Sequence, residues 1–186
     1  MSKFRTLYER YILGKNPNQI EMEHLIRHGM KVGKNTTIYS AATIDHGKPY
    51  LITIGSNVTI STNVTILTHD ASPGVVRGGT KLGRVTIGDN VFIGTGSIVL
   101  CNTRIGSNVV VGAGSVVTRD LPDNGVYAGS PAKWVCSIEE YRNKIAALRE
   151  VRPDFSKILP WNQWHNATEE EKQQMFDGLE DGPGFF

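Results

Sequence analysis

The stretch VTIGDNVFIGTGSIVLCNTRIGSNVVVGAGSVV, residues 85–117, decides the fold. An apolar, mostly β-branched residue returns in it at every sixth position, and a small residue usually follows directly. A helix would repeat its apolar positions at intervals of three and four residues, and a single long strand at intervals of two. A period of six with a Gly or Asn break therefore predicts a short strand plus a turn, with one inward side chain per unit.

The same period extends toward the N-terminus, so that four sets of three units can be counted, the last ending near Asp120. Three units would close a triangular coil, and coils would stack at the spacing of parallel strands, about 4.8 Å. One coil cannot bury its own apolar face, so a stack of several is required. The sequence thus predicts a mainly β protein, a parallel β-helix. Its inward residues are predicted to be Val32, Ile38 and Ile44; Ile54, Ile60 and Ile66; Ile87, Ile93 and Val99; and Ile105, Val111 and Val117.

The net charge, the apolar runs and the cysteine count argue against several classes of function. The net charge of +2 is nearly neutral and argues against a nucleic-acid or membrane-surface partner. No window reaches the roughly 18 apolar residues of a transmembrane segment, and the first residues lack the pattern of a signal peptide. Two cysteines, Cys101 and Cys136, are too few for a disulfide scaffold. We therefore expect a cytoplasmic protein with free thiols.

Three regions are predicted along the chain. Residues 1–30 form an N-terminal helical cap, with helical sequence from 4 to 29. Residues 31–136 form the β-helix, from which a long insertion, residues 70–84, protrudes as a loop. Residues 137–186 form a C-terminal helical extension, with a second short helix from about Thr168 and an apolar tail.

Three runs, TIGDNVFIGTGSIVL, RIGSNVVVGAGSVVTRDLP and VYAGSPAKWV, resemble the hexapeptide-repeat acyltransferases. The resemblance covers roughly residues 30–137 and is greatest to the maltose and galactoside O-acetyltransferases and to the O-acetyltransferases of capsule and lipopolysaccharide synthesis. It implies a left-handed coil, a homotrimer with active sites between subunits, and acetyl-CoA as co-substrate without a metal. The implied acceptor is a sugar or polysaccharide precursor.

His69 is the candidate catalytic residue. It is the only histidine inside the strongly repetitive core, and it stands where the loop 70–84 leaves the coil. Acetyl transfer to a hydroxyl needs a base, which is commonly a histidine, and the resemblance implies this role for His69. The group that orients His69 stays open between Asp45, Asp70 and a backbone carbonyl. Asp45, His46 and Asp70 are candidates for contact with the acceptor.

The resemblance also assigns the co-substrate site. It implies that the amide of Thr95 meets the thioester end of coenzyme A and that the amide of Ala113 lies further along the pantetheine arm. Thr118 and Arg119 match a threonine and a basic residue near the pyrophosphate, and Lys133 matches a basic residue for the nucleotide phosphates.

Two places depart from the family pattern. Cys136 stands where a second basic residue is expected, so one phosphate contact has to come from elsewhere. Ala41 and Ala42 fall near the place of an asparagine that contacts the acceptor or the intermediate. This second departure indicates an acceptor other than a simple galactoside.

The leading hypothesis is an O-acetyltransferase of surface polysaccharide biosynthesis, in which the loop 70–84 acts as a lid toward the neighbouring subunit. An N-acetyltransferase of a nucleotide-linked amino sugar and an antibiotic acetyltransferase keep the co-substrate and change the acceptor. A metal-dependent enzyme related to the γ-type carbonic anhydrases would need three converging histidines, of which His69 and the more distant His46 are the candidates. A non-catalytic scaffold predicts no binding of coenzyme A.

Overall fold

The computed structural model describes residues 17–39 and 41–186 of the chain. They fall into two compact units, the first ending at Ile138 and the second comprising Glu139–Phe186. No helix within these described residues is long and apolar enough to cross a membrane.

The first unit contains helix α1 (Pro17–Arg27) and a succession of short strands. The strands are β1 (Lys31–Val32), β2 (Thr37–Ile38), β3 (Thr43–Ile44), β4 (Ile52–Ile54), β5 (Thr59–Ile60), β6 (Thr65–Ile66), β7 (His69–Asp70), β8 (Lys81–Leu82), β9 (Val85–Ile87), β10 (Val91–Ile93), β11 (Ile98–Val99), β12 (Thr103–Ile105), β13 (Val109–Val111), β14 (Val116–Val117), β15 (Gly125–Ala128) and β16 (Lys133–Ser137).

Successive strands visit three sheets in turn, which makes each circuit a triangular coil. Sheet A has the order β1-β4-β9-β12, sheet B the order β16-β15-β13-β10-β5-β2, and sheet C the order β14-β11-β6-β3. The pairs are parallel except for β15 with β16. The turns from sheet A to B, from B to C and from C to A stack into three edges, which we call the AB, BC and CA corners.

The register confirms the predicted inward ladders. Ile54 pairs with Ile87 in sheet A, and Ile66 pairs with Val99 in sheet C. The predicted inward residues are buried in one core, against which the partly buried Val32 packs. The parallel β-helix predicted from the six-residue period is therefore confirmed. Several units turn two side chains inward rather than the one predicted, since Ile52, Val58, Val85 and Val91 are also buried in this core.

Asparagine forms the AB corner. One asparagine per coil adopts a left-handed backbone conformation there, and the side chains form a ladder of amide hydrogen bonds 2.8–3.2 Å long. Asparagine tolerates this conformation better than other residues with a Cβ. The five members are Asn35, Asn57, Asn90, Asn108 and Asn124.

The regular six-residue period ends near Asp120, as predicted, but the coil itself continues beyond this residue with a shorter spacing. Leu121 bridges Ile105 in sheet A, and β15 adds to β13 in sheet B, where Val111 faces Tyr127. These contacts join residues 16 apart rather than 18, which hides the partial fifth coil from a search for period six. The antiparallel strand β16 then pairs with β15.

Helix α1 confirms the described part of the predicted N-terminal helical region, whereas residues 4–16 lie outside the described residues. The chain leaves the helix at Gly29, whose φ of +101° suits a residue without a Cβ. Leu25 and Met30 are buried and belong to the same core as the ladders.

The loop 70–84 forms a hairpin, in which β7 pairs antiparallel with β8. A 3-10 segment, Ser72–Val76, lies within it. Further along the chain are helices α2 (Ile138–Val151) and α3 (Glu169–Asp177). Helix α3 begins as predicted near Thr168, whose side chain forms a reciprocal capping box with Glu171.

Candidate active site

His69 lies at the CA corner, directly after the coil strand β6. The amide of Leu67 donates to the carbonyl of Val99 on the following coil at 2.9 Å, and the amide of Gly83 donates to the carbonyl of Thr68 at 3.0 Å. These two bonds fasten the chain on either side of the hairpin, so that Val85 can start the next coil in phase. His69 is therefore held by the rigid coil although it begins a protruding hairpin.

The carboxylate of Asp45, which lies on the preceding coil, contacts His69. Nδ1 of His69 lies 2.5 Å from Asp45 Oδ2, and the same oxygen accepts hydrogen bonds from the Thr68 amide at 3.1 Å and the Thr68 hydroxyl at 2.5 Å. The other oxygen, Oδ1, accepts from the Gly47 amide at 2.9 Å. The side chain of Asp45 is only 5% exposed. Of the possible orienting groups, the structure thus brings Asp45 to His69.

The electrostatics favour a charged Asp45 and a defined form of His69. Burial raises the pKa of Asp45, but hydrogen bonds from the Thr68 and His69 side chains and from the Gly47 and Thr68 amides outweigh it and hold this pKa well below its usual range. Because an ionised carboxylate only accepts, Nδ1 of His69 is the donor in this contact, so the neutral form of the ring has its free lone pair on Nε2. The His69 side chain is 44% exposed, so Nε2 can meet a ligand.

Thr68 is a functional candidate that the sequence did not reveal. Its side chain is fully buried and its hydroxyl and amide both donate to Asp45, so it fixes the carboxylate that in turn contacts His69. The signal in the sequence is a threonine directly before the candidate base. Threonine is too common at such positions for that signal to have identified it.

His46 and Asp70 do not join this pair. Nε2 of His46 lies 3.0 Å from a carboxylate oxygen of Glu21 on α1. Asp70 accepts from the amide of Ser72 at 2.9 Å and lies 3.1 Å from the ammonium of Lys81 across the hairpin. The backbone and side chain of Ser72, with Lys81, lower the pKa of Asp70 to about 2. Asp70 is thus paired with Ser72 and Lys81 inside the hairpin. It also borders the pocket next to His69.

This pocket measures about 230 Å³. The paired Asp70 and Lys81 of the hairpin border it, together with apolar side chains of the coil and a free cysteine. The lining residues are Leu67, His69, Asp70, Lys81, Leu100 and Cys101. Residues 17–39 and 41–186 contain no group of three His, Cys, Asp or Glu side chains arranged to hold a metal ion.

The residues assigned to the co-substrate occupy two different corners. Thr95 follows β10 and Ala113 follows β13 at the BC corner, and Lys133 faces Ala128 where sheet B reaches the same corner. Thr118 and Arg119 follow β14 at the CA corner, where His69 also lies. One side of the triangle is about six residues of extended chain, so the two corners of one chain lie roughly 20 Å apart.

The backbone amides at the AB corner are occupied. The amide of Ser56 donates to Asp89 at 2.6 Å, the amide of Asp89 to Ser107 at 3.1 Å, and the amide of Ser107 to Asp123 at 2.8 Å, each time reaching a side chain of the following coil. The turns themselves therefore satisfy every one of these amides.

The equivalent amides at the BC corner are open. Ala113 stands one coil beyond Thr95, and its methyl group cannot accept a hydrogen bond. The amides of Thr95 and Ala113 donate to no group in the part of the chain that the structure describes. Two stacked, unoccupied donors can bind carbonyl oxygens of an extended ligand.

Comparison with known proteins identifies the family. Residues 84–119 match the family model "bacterial transferase hexapeptide (six repeats)". Protein CapG of Staphylococcus aureus is 44% identical over 140 residues, which cover 73% of this chain and 79% of that protein. The chain belongs to the hexapeptide-repeat transferase family. The parallel β-helix described above is therefore the left-handed coil of this family.

Solved structures of hexapeptide-repeat proteins support the same family assignment. A maltose O-acetyltransferase from Clostridium difficile 630 is 31% identical, with 66% of this chain and 77% of that chain covered and a TM-score of 0.52. A hexapeptide-repeat acetyltransferase from Vibrio cholerae O1 biovar eltor, complexed with acetyl coenzyme A, is 25% identical, with 67% and 80% covered and a TM-score of 0.52. This hexapeptide-repeat protein is thus an acetyltransferase by family.

Proposed function

We propose that the protein is an O-acetyltransferase that moves the acetyl group of acetyl-CoA to a sugar hydroxyl in the biosynthesis of a surface polysaccharide. The observation that carries the proposal is the His69–Asp45 pair, which leaves Nε2 exposed beside a pocket. The similarity to a maltose O-acetyltransferase and to a protein named CapG supports a sugar acceptor and a role in capsule synthesis.

His69 acts as the general base in this proposal. Its Nε2 removes the proton of the acceptor hydroxyl while the oxygen attacks the thioester carbonyl; the new C–O bond forms, the C–S bond breaks, and the proton passes to the leaving thiolate. Asp45 stabilises the imidazolium that forms in between, and Thr68 keeps Asp45 ionised. The amide of Thr95 donates to the oxygen on which negative charge develops.

Acetyl-CoA is the proposed co-substrate, and it supplies the activated acetyl group. The open amides of Thr95 and Ala113 support this choice, as does the acetyl coenzyme A complex of the similar Vibrio protein. Lys133 at the BC corner, and Thr118 with Arg119 at the CA corner, are the proposed partners of its phosphates. The exposed cationic side chains suit such an anion.

We propose a homotrimer with active sites between subunits, located in the cytoplasm. The separation of the corners supports the trimer, because His69 and Thr95 of the same chain are too far apart to contact the same acetyl group. In a three-fold ring, the CA corner of one subunit faces the BC corner of the next, and each interface completes a site. The hairpin 70–84 then extends as a lid toward the neighbour. The two free thiols suit the cytoplasm.

The direct test is acetyl transfer by the purified protein, followed by coenzyme A release and by labelled acetyl groups on a panel of acceptors. We expect acetylation of a sugar hydroxyl, with an amino sugar and an aminoglycoside acetylated poorly. His69→Ala should lose activity by orders of magnitude, and His28→Ala, an exposed histidine elsewhere, should not. A fully active His69→Ala variant contradicts the assignment, and preferred transfer to an amine shifts it to N-acetylation.

The shared site has its own test. His69→Ala damages the CA corner, and Ala113→Asp is designed to occupy the Thr95 amide at the BC corner. At an acetyl-CoA concentration too low to support turnover by Ala113→Asp, both variants alone should show little activity. When they are unfolded and reassembled together, about a quarter of the interfaces should combine an intact corner from each chain and recover activity. If each site lay within one chain, mixing would recover nothing.

A further inference from the structure

A larger pocket borders the hairpin that carries His69. It measures about 550 Å³ and is formed where three successive coils enter sheet A, so it shares the CA corner with His69. None of its lining residues has a role in the acetyl transfer described so far. They are Tyr50, Leu51, Leu82, Gly83, Arg84 and Asn102.

The hairpin joins this pocket to His69. Leu82 lines the pocket and is the partner of His69 in the register of β7 and β8. The next residue, Gly83, donates its amide to the carbonyl of Thr68, which in turn holds Asp45. A ligand in the pocket therefore lies one strand of the hairpin away from the proposed base, on the same rigid corner.

The chemistry of the pocket is that of an aromatic surface beside an unpaired cation. Tyr50 is 63% exposed as a residue, and its ring can offer a flat apolar face to a ring-shaped ligand. Arg84 is exposed and pairs with no carboxylate in the described ranges, whereas Lys81 of the same hairpin is held by Asp70. The amide of Asn102 adds both a donor and an acceptor.

The charge of the pocket selects its ligand. None of the six lining residues is acidic, so nothing in the pocket neutralises Arg84. The guanidinium presents its donors in a planar fork that matches carboxylate or phosphate oxygens. An uncharged sugar would leave this fork bound to water, and an ammonium group would be repelled.

We propose that the Tyr50–Arg84 pocket binds an anionic group of the acceptor sugar, a carboxylate or a phosphate, while the hydroxyl to be acetylated reaches His69. The sugar ring packs against Tyr50, and Arg84 pairs with the anion. This inference rests on the proposed sugar acetyltransferase function and restricts its acceptor to acidic sugars such as uronic acids or sugar phosphates.

The test measures binding without acetyl-CoA, so that it does not depend on turnover. Methyl glucuronide and glucose 1-phosphate are compared with uncharged methyl glucoside by titration calorimetry on the intact wild-type protein. We expect both or one of the charged sugars to bind more tightly than methyl glucoside, and the tighter of the two identifies the anion. Added salt should reduce the difference.

Variants test which residues cause the preference for charged sugars. Arg84→Gln should weaken binding of the charged sugar about tenfold or more and change methyl glucoside by less than about twofold, since a bond to a charged group is lost. Arg84→Lys should keep part of the preference, and Tyr50→Ala should weaken charged and uncharged sugars alike. Arg77→Gln is the matched control, because Arg77 is an exposed arginine of the same hairpin outside the pocket.

The results separate this inference from the proposed function. Charged sugars that bind no better than methyl glucoside, or a loss in Arg84→Gln that is equal for both kinds, would overturn the inference. Acetylation of uncharged sugars with normal rates in Arg84→Gln would overturn it too, while leaving the acetyltransferase function intact. Charge-selective, Arg84-dependent binding without any acetyl transfer would support the pocket and refute the function.

Discussion

Replacing Asp45 by asparagine tests the pair at the centre of the site. Three donors converge on Oδ2 of Asp45, from the Thr68 amide, the Thr68 hydroxyl and His69 Nδ1, and one on Oδ1, from the Gly47 amide. The single carbonyl oxygen of the introduced asparagine will therefore take the Oδ2 position and keep His69 in the same tautomer. Its NH₂ group will face the Gly47 amide, so one hydrogen bond is lost together with the charge.

The magnitude follows from what the variant removes. The carboxylate stabilises the imidazolium of His69 through a charged hydrogen bond, which contributes about 1.5–3 kcal/mol and corresponds to roughly a 10- to 150-fold change in rate. The His69 ring is 44% exposed, and water screens part of the interaction. We therefore expect kcat to fall about 10- to 50-fold, with the KM for acetyl-CoA nearly unchanged.

The assay is the initial rate of coenzyme A release at saturating acceptor, with a melting curve for each variant. Asp89→Asn is the matched control, because Asp89 also accepts a hydrogen bond from a backbone amide of a neighbouring coil but lies at the AB corner. It should lose some stability and keep its kcat. A folded Asp45→Asn variant with a kcat within about threefold of wild type would refute the role of Asp45, and so would an equal loss in Asp89→Asn.

Three further predictions follow from the same contacts. Hydrogen bonds lower the pKa of Asp45 below its ordinary 3.8, so its stabilising effect is complete above about pH 5 and is lost as the pH falls further; urea unfolding at decreasing pH should show wild type approaching Asp45→Asn. Ala41 adopts a left-handed conformation with φ of 64°, so Ala41→Asn should raise stability by about 1 kcal/mol in chemical denaturation, and an unchanged midpoint would show that the turn is unstrained. Ala113→Asp should occupy the amide of Thr95 as Asp89 occupies that of Ser56, and raise the KM for acetyl-CoA without changing the circular dichroism spectrum; an unchanged KM would exclude that amide from the co-substrate site.

The core was predictable because each inward residue depends on a local rule. Every six-residue unit turns at least one aliphatic side chain inward. An insertion that leaves the phase intact, such as residues 70–84, does not disturb the ladders. The rule failed where the spacing changed: Leu121 and Tyr127 are buried in a shorter fifth coil. A period search cannot detect a coil that departs from the period.

The contact between Asp45 and His69 was not predictable in the same way. In the register of sheet C, Ile44 pairs with Ile66, so an extension of the same phase would set Asp45 beside Leu67. The chain turns at Thr68 instead, and this turn brings His69 back over Asp45. Such a contact depends on the dihedral angles of a few residues at the start of an insertion, which no repeat encodes.

The corners do carry a signal in the sequence that distinguishes turns with occupied amides from turns with open amides. The AB turns read GSN, GDN and GSN at residues 55–57, 88–90 and 106–108, whereas the BC turns of the third and fourth coils read GTG and GAG at residues 94–96 and 112–114. The BC turn of the second coil, STN at residues 61–63, still has an asparagine in the left-handed conformation. At the AB corner, the Ser or Asp side chain accepts a hydrogen bond from a backbone amide of the preceding coil, and the Asn side chain joins the amide ladder. In the GTG and GAG turns, glycine provides the left-handed conformation, and the space where its Cβ would lie is empty. Asparagine also adopts the left-handed conformation, so the backbone conformation alone does not require glycine at Gly96 and Gly114. The absence of side chains at these positions therefore needs another explanation. They leave a strip of open backbone along the BC corner, and a long, thin ligand that bonds to amides is what such a strip can accommodate.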